Sequence, residues 1–200
     1  MREKFDEFVK ENIEPDNLLI TCGLPGTWKT ETSEVVSNLK GYNILRTDLI
    51  RLEVLKNEDI FDEKVASNMD KRKMVYDEMF NRADKLTKKG LGVILDATFV
   101  TQQLRQRAAQ IAAKNNKRLV ILQTSCPQQV SIDRILRRTK ENYESNALTE
   151  QAYINNKKKF EPVDLDELKS NNSGLRILHF IVDTTEDEPD NWHVIEMATK

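Results

Sequence analysis

The chain's 200 residues are enough to bury one sizeable core, and 38% hydrophobic with 32% charged residues gives a soluble globular chain with a densely charged surface. A formal charge of −2 excludes the global basic field on which non-specific nucleic-acid binding runs, leaving only a local groove for such a partner. No apolar run approaches the roughly 20 residues that span a bilayer. The N-terminal MREKFDEFVKENIE breaks any signal-like apolar stretch with acids, so a cytoplasmic protein without membrane association is expected.

Phe5, Phe8, Val9 and Ile13 recur at helical spacing and predict a helix within residues 1–14. Asn17–Cys22 is apolar without alternation, as in a strand covered on both faces. Gly23-Leu24-Pro25-Gly26-Thr27-Trp28-Lys29-Thr30 follows, and a helical pattern runs from about Lys29 to Leu39. Strand, glycine loop, Lys-Thr and helix in that order are the setting of a phosphate-binding loop. Consecutive N–H groups surround the phosphates there, and the helix N-terminus adds its positive end. Lys29 is placed to bridge the β- and γ-phosphates and Thr30 to ligate Mg²⁺. Gly23, Gly26, Thr27, Trp28, Lys29, Thr30 and Glu31 are thus the candidate nucleotide-binding residues. Two of them depart from the usual loop. Trp28 stands where the last glycine belongs, so its indole must turn away from the ligand or the loop must reshape. Glu31 suits a helix N-terminus, but turned inward it repels phosphate.

Tyr42–Arg46 and Gly92–Ala97 are the next buried strands. Asp48 follows the first, where a carboxylate can either deprotonate an attacking hydroxyl or simply cap the next helix. Asp96 and Thr98 end the second, placed for a metal-bound water or a substrate. Between them, about Asp62 to Lys89, the residues Val65, Met69, Met74, Val75, Met79, Phe80, Ala83 and Leu86 form an apolar stripe that reads as core. Helices are expected over Thr101–Lys114, Pro127–Thr139 and Leu148–Lys159, and strands over Arg118–Cys126 and Leu175–Val182. On the second of those helical stretches, Arg134 and Arg138 fall one turn apart. Lys140–Ala147, Asp164–Gly174 and Glu186–Asn191 read as polar connections. Cys22 and Cys126 end apolar runs and read as reduced core thiols. Lys71–Lys73 and Lys157–Lys159 read as solvated faces, and His179 and His193 lack the partners of a histidine mechanism.

Strands alternating with helices predict an α/β fold with a parallel sheet between two helical layers. GLPGTWKT resembles the GxPGxGK[ST] loop of the small P-loop kinases. Asp48 and Arg51 are similar to the D-x-x-R element of polynucleotide 5′-kinases and zeta-toxin-like kinases, and Thr149–Pro162 resembles their FEP-ending helix. The resemblance runs from Asn17 to Pro162 and returns at Ile181-Val182-Asp183. It implies one three-layer α/β/α domain over residues 1–200, with five parallel strands in the order 2-3-1-4-5, a lid near 134–150 and a C-terminal extension at 186–200. It also implies Asp48 as general base, Arg51 as acceptor clamp with Asp96 and Thr98 beside it, and Thr30 and Asp96 on Mg²⁺. Lys29, Arg134 and Arg138 would stabilise the phosphoryl group of ATP. Ala97 follows Asp96 where hydrolytic motors carry a water-activating glutamate, which favours transfer to an acceptor. The expected activity is ATP-dependent phosphorylation of a hydroxyl on a small molecule, a nucleotide or a polynucleotide 5′ end, with no obligate protein partner. A nucleotide-binding sensor or pseudokinase is the alternative that Trp28 and Glu31 motivate.

Overall fold

Five apolar runs of the sequence become neighbouring parallel strands in a computed structural model that describes residues 2–58, 60, 65, 68–138 and 148–200. They are β2 (Leu18–Cys22), β3 (Asn43–Arg46), β4 (Val93–Asp96), β5 (Leu119–Ser125) and β6 (Ile177–Asp183), with β1 (Glu3–Lys4) preceding them in the chain. β2 lies between β4 and β5, β3 pairs with β4, and β6 with β5, all in parallel register. Counted from β2, that is the expected 2-3-1-4-5.

The sheet does not stop at five strands. β7 (His193–Thr199) adds antiparallel to β6, and β1 pairs with β7 through Glu3 and Lys4, giving seven strands in the order β1-β7-β6-β5-β2-β4-β3. What reads as a C-terminal extension therefore contains a strand of the sheet, next to the short edge strand β1. Only Val194 of β7 is buried, so the segment lacks the apolar run that marks the other strands.

Helices α1 (Phe5–Asn12) and α2 (Lys29–Lys40) cover one face of the sheet, where Leu19, Ile94, Val120 and Leu122 meet Phe5, Phe8, Val9 and Val36. The other face carries α4 (Met69–Lys88) and α5 (Gln102–Lys114), whose Val75, Met79, Phe80, Ala108 and Ala112 pack on Leu18, Ile20 and Leu95. Between β3 and α4 lies α3 (Thr47–Val54). After β5 come α6 (Gln128–Leu136), α7 (Glu150–Lys159) and α8 (Leu165–Ser170).

Several expectations shift. The stripe on α4 buries Val75, Tyr76, Met79, Phe80 and Ala83, but Met69 and Met74 face solvent, since Met74 lies off the arc those residues define and Met69 is the first residue after the Asn68 cap. Asp164–Gly174 contains α8, capped by the Asp164 carboxylate on the Glu167 N–H; six residues are too few to show a period. α6 ends at Leu136, so Arg138 lies beyond it and the shared helical face with Arg134 does not form. The Lys140–Ala147 connection and most of the expected lid fall outside the described residues.

Candidate active site

The phosphate loop joins β2 to α2. Gly26 has a positive φ of 78°, and a Cβ on it would lie 2.4 Å from the Ser131 carbonyl oxygen. A Cβ on Gly23 would lie 2.6 Å from Thr124 Oγ1. Both glycines are thus required by close approach to the strand and helix behind them. Among the described residues, no backbone carbonyl accepts from the N–H groups of Gly26, Thr27, Trp28 or Lys29. Those are the free donors that a helix start offers to an anion. Lys29 Nζ donates to the Leu24 carbonyl at 2.6 Å, and burial holds its pKa down to about 8. The chemistry of the loop therefore fits a phosphate chain.

Trp28 adopts the left-handed conformation, φ 57° and ψ 36°, that usually reserves this position for glycine. For a non-glycine residue that costs roughly 1–2 kcal/mol. Its indole turns away from the loop interior, packs at the margin of the α1–α2 core and lies under the Arg134 guanidinium, 4.7 Å from ring centroid to Cζ. A cation–π contact of about 0.5–2 kcal/mol is of the same size as the strain. The indole Nε1 is buried beside the Asp187 carboxylate without completing a hydrogen bond to it.

Arg134, expected over the phosphates, is placed on the outer side of the loop. It is buried and donates to the carbonyls of Gly26 (3.3 Å), Thr185 (2.9 Å) and Glu186 (3.3 Å) and to Asp187 Oδ1 (2.9 Å). These contacts are absent from a sequence reading because residues 134 and 187 meet only in the folded chain.

On the inner side, the ends of β2, β3 and β4 converge, where open α/β sheets bind ligands. Thr30 Oγ1 donates to Asp96 Oδ2 at 2.8 Å, and Arg46 Nε lies 3.4 Å from the same oxygen as an ion pair without hydrogen-bond geometry. Thr21 Oγ1 approaches Asp96 Oδ1 at 3.3 Å. Asp96 is almost fully buried, and that burial raises its pKa. A hydroxyl and a carboxylate side by side at a phosphate loop suit Mg²⁺, which takes one or two protein oxygens and fills its remaining positions with phosphate and water.

Asp48 sits in the first turn of α3, whose cap position is Arg46, so Asp48 is not the helix cap. Arg51 Nη1 donates to Asp48 Oδ1 at 2.8 Å. Burial raises the Asp48 pKa, opposed by Arg51, Lys29 and Arg138. Burial also raises the Glu31 pKa, with Arg138 and Lys29 opposing it, so Glu31 belongs to the same electrostatic cluster. The structure thus brings together Lys29, Thr30, Glu31, Asp48, Arg51, Asp96 and Arg138. Thr98 is near: its side chain lies beside Tyr76, whose hydroxyl is within electrostatic reach of Arg51, Arg72 and Asp48. Sequence reasoning missed Thr21, Arg46 and Tyr76. Thr21 and Arg46 lie inside stretches that the sequence marks only as apolar strands, and Tyr76 inside one that reads only as a helix.

The floor of the crevice is held by Arg105. Its guanidinium donates to the carbonyls of Phe99 (3.0 Å), Val100 (3.3 Å), Glu161 (2.6 Å) and Pro162 (3.0 Å), stapling the FEP segment to the turn after β4. Phe99 in that turn also has a positive φ, 41°.

The profile of a family described as "AAA domain" matches residues 18–163. An uncharacterized protein of Mycobacterium tuberculosis is 30% identical over 136 residues, covering 65% of this chain and 27% of the relative, so the chain spans about a quarter of that protein's length. Among solved structures, a gluconokinase from Sinorhizobium meliloti superposes with a TM-score of 0.57 at 14% identity, covering 87% of this chain and 86% of its own. A sugar kinase from a Janibacter species gives 0.61 at 14%, covering 88% of each chain. Kti12 from Chaetomium thermophilum, solved with ADP-AlF₃, gives 0.58 at 17%, covering 86% of this chain and 92% of its own. These likenesses establish the fold: a P-loop kinase-like α/β domain.

Proposed function

The chain belongs to the AAA-domain family and carries the P-loop kinase fold, and from that premise we propose that it is an ATP-dependent kinase acting on a hydroxyl acceptor. The observation that carries this reading is the convergence of Thr30–Asp96 at 2.8 Å with Asp48 at the end of the neighbouring strand. In this reading the free N–H groups of the loop and Lys29 hold the triphosphate. Lys29 leaves the Leu24 carbonyl for the phosphate oxygens, a stronger, charge-assisted partner. Thr30 and Asp96 hold Mg²⁺, which supplies charge neutralisation on the phosphates. Asp48 takes the proton of the attacking hydroxyl; its raised pKa moves it toward the range where a carboxylate is an effective base. Arg51 orients Asp48 and the acceptor, Thr98 and Tyr76 line the acceptor side, and Arg138 faces the charge that develops on the transferred group. A small molecule, a nucleotide and a polynucleotide 5′ end all fit this chemistry as acceptors.

Asp48→Asn tests it. The variant is expected to keep its ATP affinity, measured by calorimetry, and to lose about 10²–10⁴-fold in phosphoryl transfer in an acceptor screen. Unchanged transfer would remove Asp48 as the base. Glu31 favours one second reading, a nucleotide-binding sensor with little transfer, since a half-buried carboxyl within electrostatic reach of Lys29 competes with phosphate. For a sensor, ATP binds and no acceptor is phosphorylated by the wild-type protein.

A further inference from the structure

Building on the nucleotide-binding reading above, we propose that Arg134 is a positioning residue that ties the outer side of the phosphate loop, through Trp28, to residues 184–187, and that this brace sets how tightly the loop holds a nucleotide. The outer side of the loop carries its carbonyls, and two consecutive ones are taken. Gly26 O accepts from Arg134 Nη1 at 3.3 Å, and Thr27 O accepts from Thr184 Oγ1 at 3.0 Å. Both donors are anchored in the segment after β6. Arg134 spends its remaining N–H groups on Thr185 O, Glu186 O and the Asp187 carboxylate, and Thr184 Oγ1 also reaches Ser125 O at 3.3 Å. That segment is itself fixed to the core, since Trp192, 1% exposed, donates its Nε1–H to Glu186 O at 2.8 Å.

Trp28 completes the connection, with its indole face against Arg134 and its edge beside Asp187. A glycine would reach the same φ without strain but would give Arg134 no surface to lie on. The tryptophan therefore acts as the lock of the cradle. Asp187, a largely exposed residue from a distant part of the chain, thereby contributes to nucleotide affinity without belonging to the loop.

The test is calorimetric titration of the full chain with MgADP, which reads binding without turnover. Trp28→Gly is expected to weaken binding about tenfold although it restores the usual loop residue, and Trp28→Phe, which keeps an aromatic face, to stay within about twofold of wild type. Asp187→Ala is expected to cost about threefold alone and nothing further in the Trp28→Gly background. If Trp28→Gly does not fold, Trp28→Leu, which fills space without an aromatic face, is expected to show the same loss. Binding as tight as wild type in Trp28→Gly (or in Trp28→Leu, where that replaces it), or a full additive loss in the double variant, overturns the brace.

Should the wild-type protein bind no MgADP, the nucleotide reading falls, and acrylamide quenching decides the brace on its own. The Trp28 signal, taken as the difference between wild type and Trp28→Phe, should quench more readily in Asp187→Ala; equal quenching overturns the proposal.

Discussion

Two buried arginines each secure an aromatic residue held at positive φ, and their surroundings differ. Arg105 lies wholly inside and donates to four backbone carbonyls and to Gln102 Oε1; among the described residues it has no carboxylate partner. Its aromatic residue is Phe99, fully buried at the turn after β4. Arg134 divides its donors between loop carbonyls and Asp187, whose side chain is 57% exposed, and its aromatic residue is the half-buried Trp28. One clamp is sealed from water and fixes the floor of the crevice. The other has a solvent-facing partner and borders the phosphate loop. The lesson is that a strained residue beside a site can be either a fixture of the fold or an adjustable part of the site, and the exposure of its clamp's partners tells which.

The largest expected effect breaks the sealed clamp. Arg105→Met leaves several buried carbonyls unpaired and should lower stability by about 4 kcal/mol in urea denaturation, with Arg105→Lys recovering less than half because an ammonium lacks the planar fork. A loss below about 1 kcal/mol would erase the distinction between the two arginines.

Next is His179, hydrogen-bonded to Gln123 at 3.0 Å; burial, with Arg105 adding to it, holds its pKa down to about 4 from an ordinary 6.5. The unfolded chain therefore takes up the proton first, and this histidine makes stability fall as pH drops from about 6.5 toward 4, by at most about 1.4 kcal/mol per pH unit. The stability curve of His179→Gln should lack that component, and curves that stay parallel to wild type would contradict it.

A comparable slope is expected on the inner side of the loop. With Lys29 at about 8 and the ammonium as the phosphate-binding form, ATP affinity should be flat below that pH and fall above it. The fall approaches about tenfold per pH unit until the pKa of the complex is reached. Affinity unchanged between pH 7 and about 9.5 would remove Lys29 from the phosphate site. The smallest effect is on the open clamp, where Asp187→Ala should cost less than about 1 kcal/mol of stability, since the Asp187 side chain is largely solvated and Arg134 keeps its carbonyl acceptors at Gly26, Thr185 and Glu186.

Much of this was legible in the chain. Apolar runs marked the parallel strands, because strands covered on both faces need no partner to be recognised, whereas their order came only from the resemblance to P-loop kinases. The phosphate loop was legible because its chemistry is local: Gly23, Gly26, Lys29 and Thr30 lie within eight positions of one another. β7 was hidden because it buries only Val194, and α8 because six residues carry no period. Arg134 was misplaced for a different reason. Helical spacing paired it with Arg138, yet α6 stops at Leu136, and the partners that claim its guanidinium lie more than fifty residues away. Trp28 marked a departure in the sequence, but the residue that compensates for it could be found only in the fold.

The central claim is that this loop, with tryptophan in place of its last glycine, still binds a nucleoside triphosphate. Titration of the wild-type protein with MgATP, followed by calorimetry and by tryptophan emission, tests it most directly. Trp28 borders the loop and the other tryptophan, Trp192, is in the core, so saturable heat accompanied by an emission change that Trp28→Phe abolishes is the predicted result. No heat and no emission change up to millimolar MgATP would contradict the account.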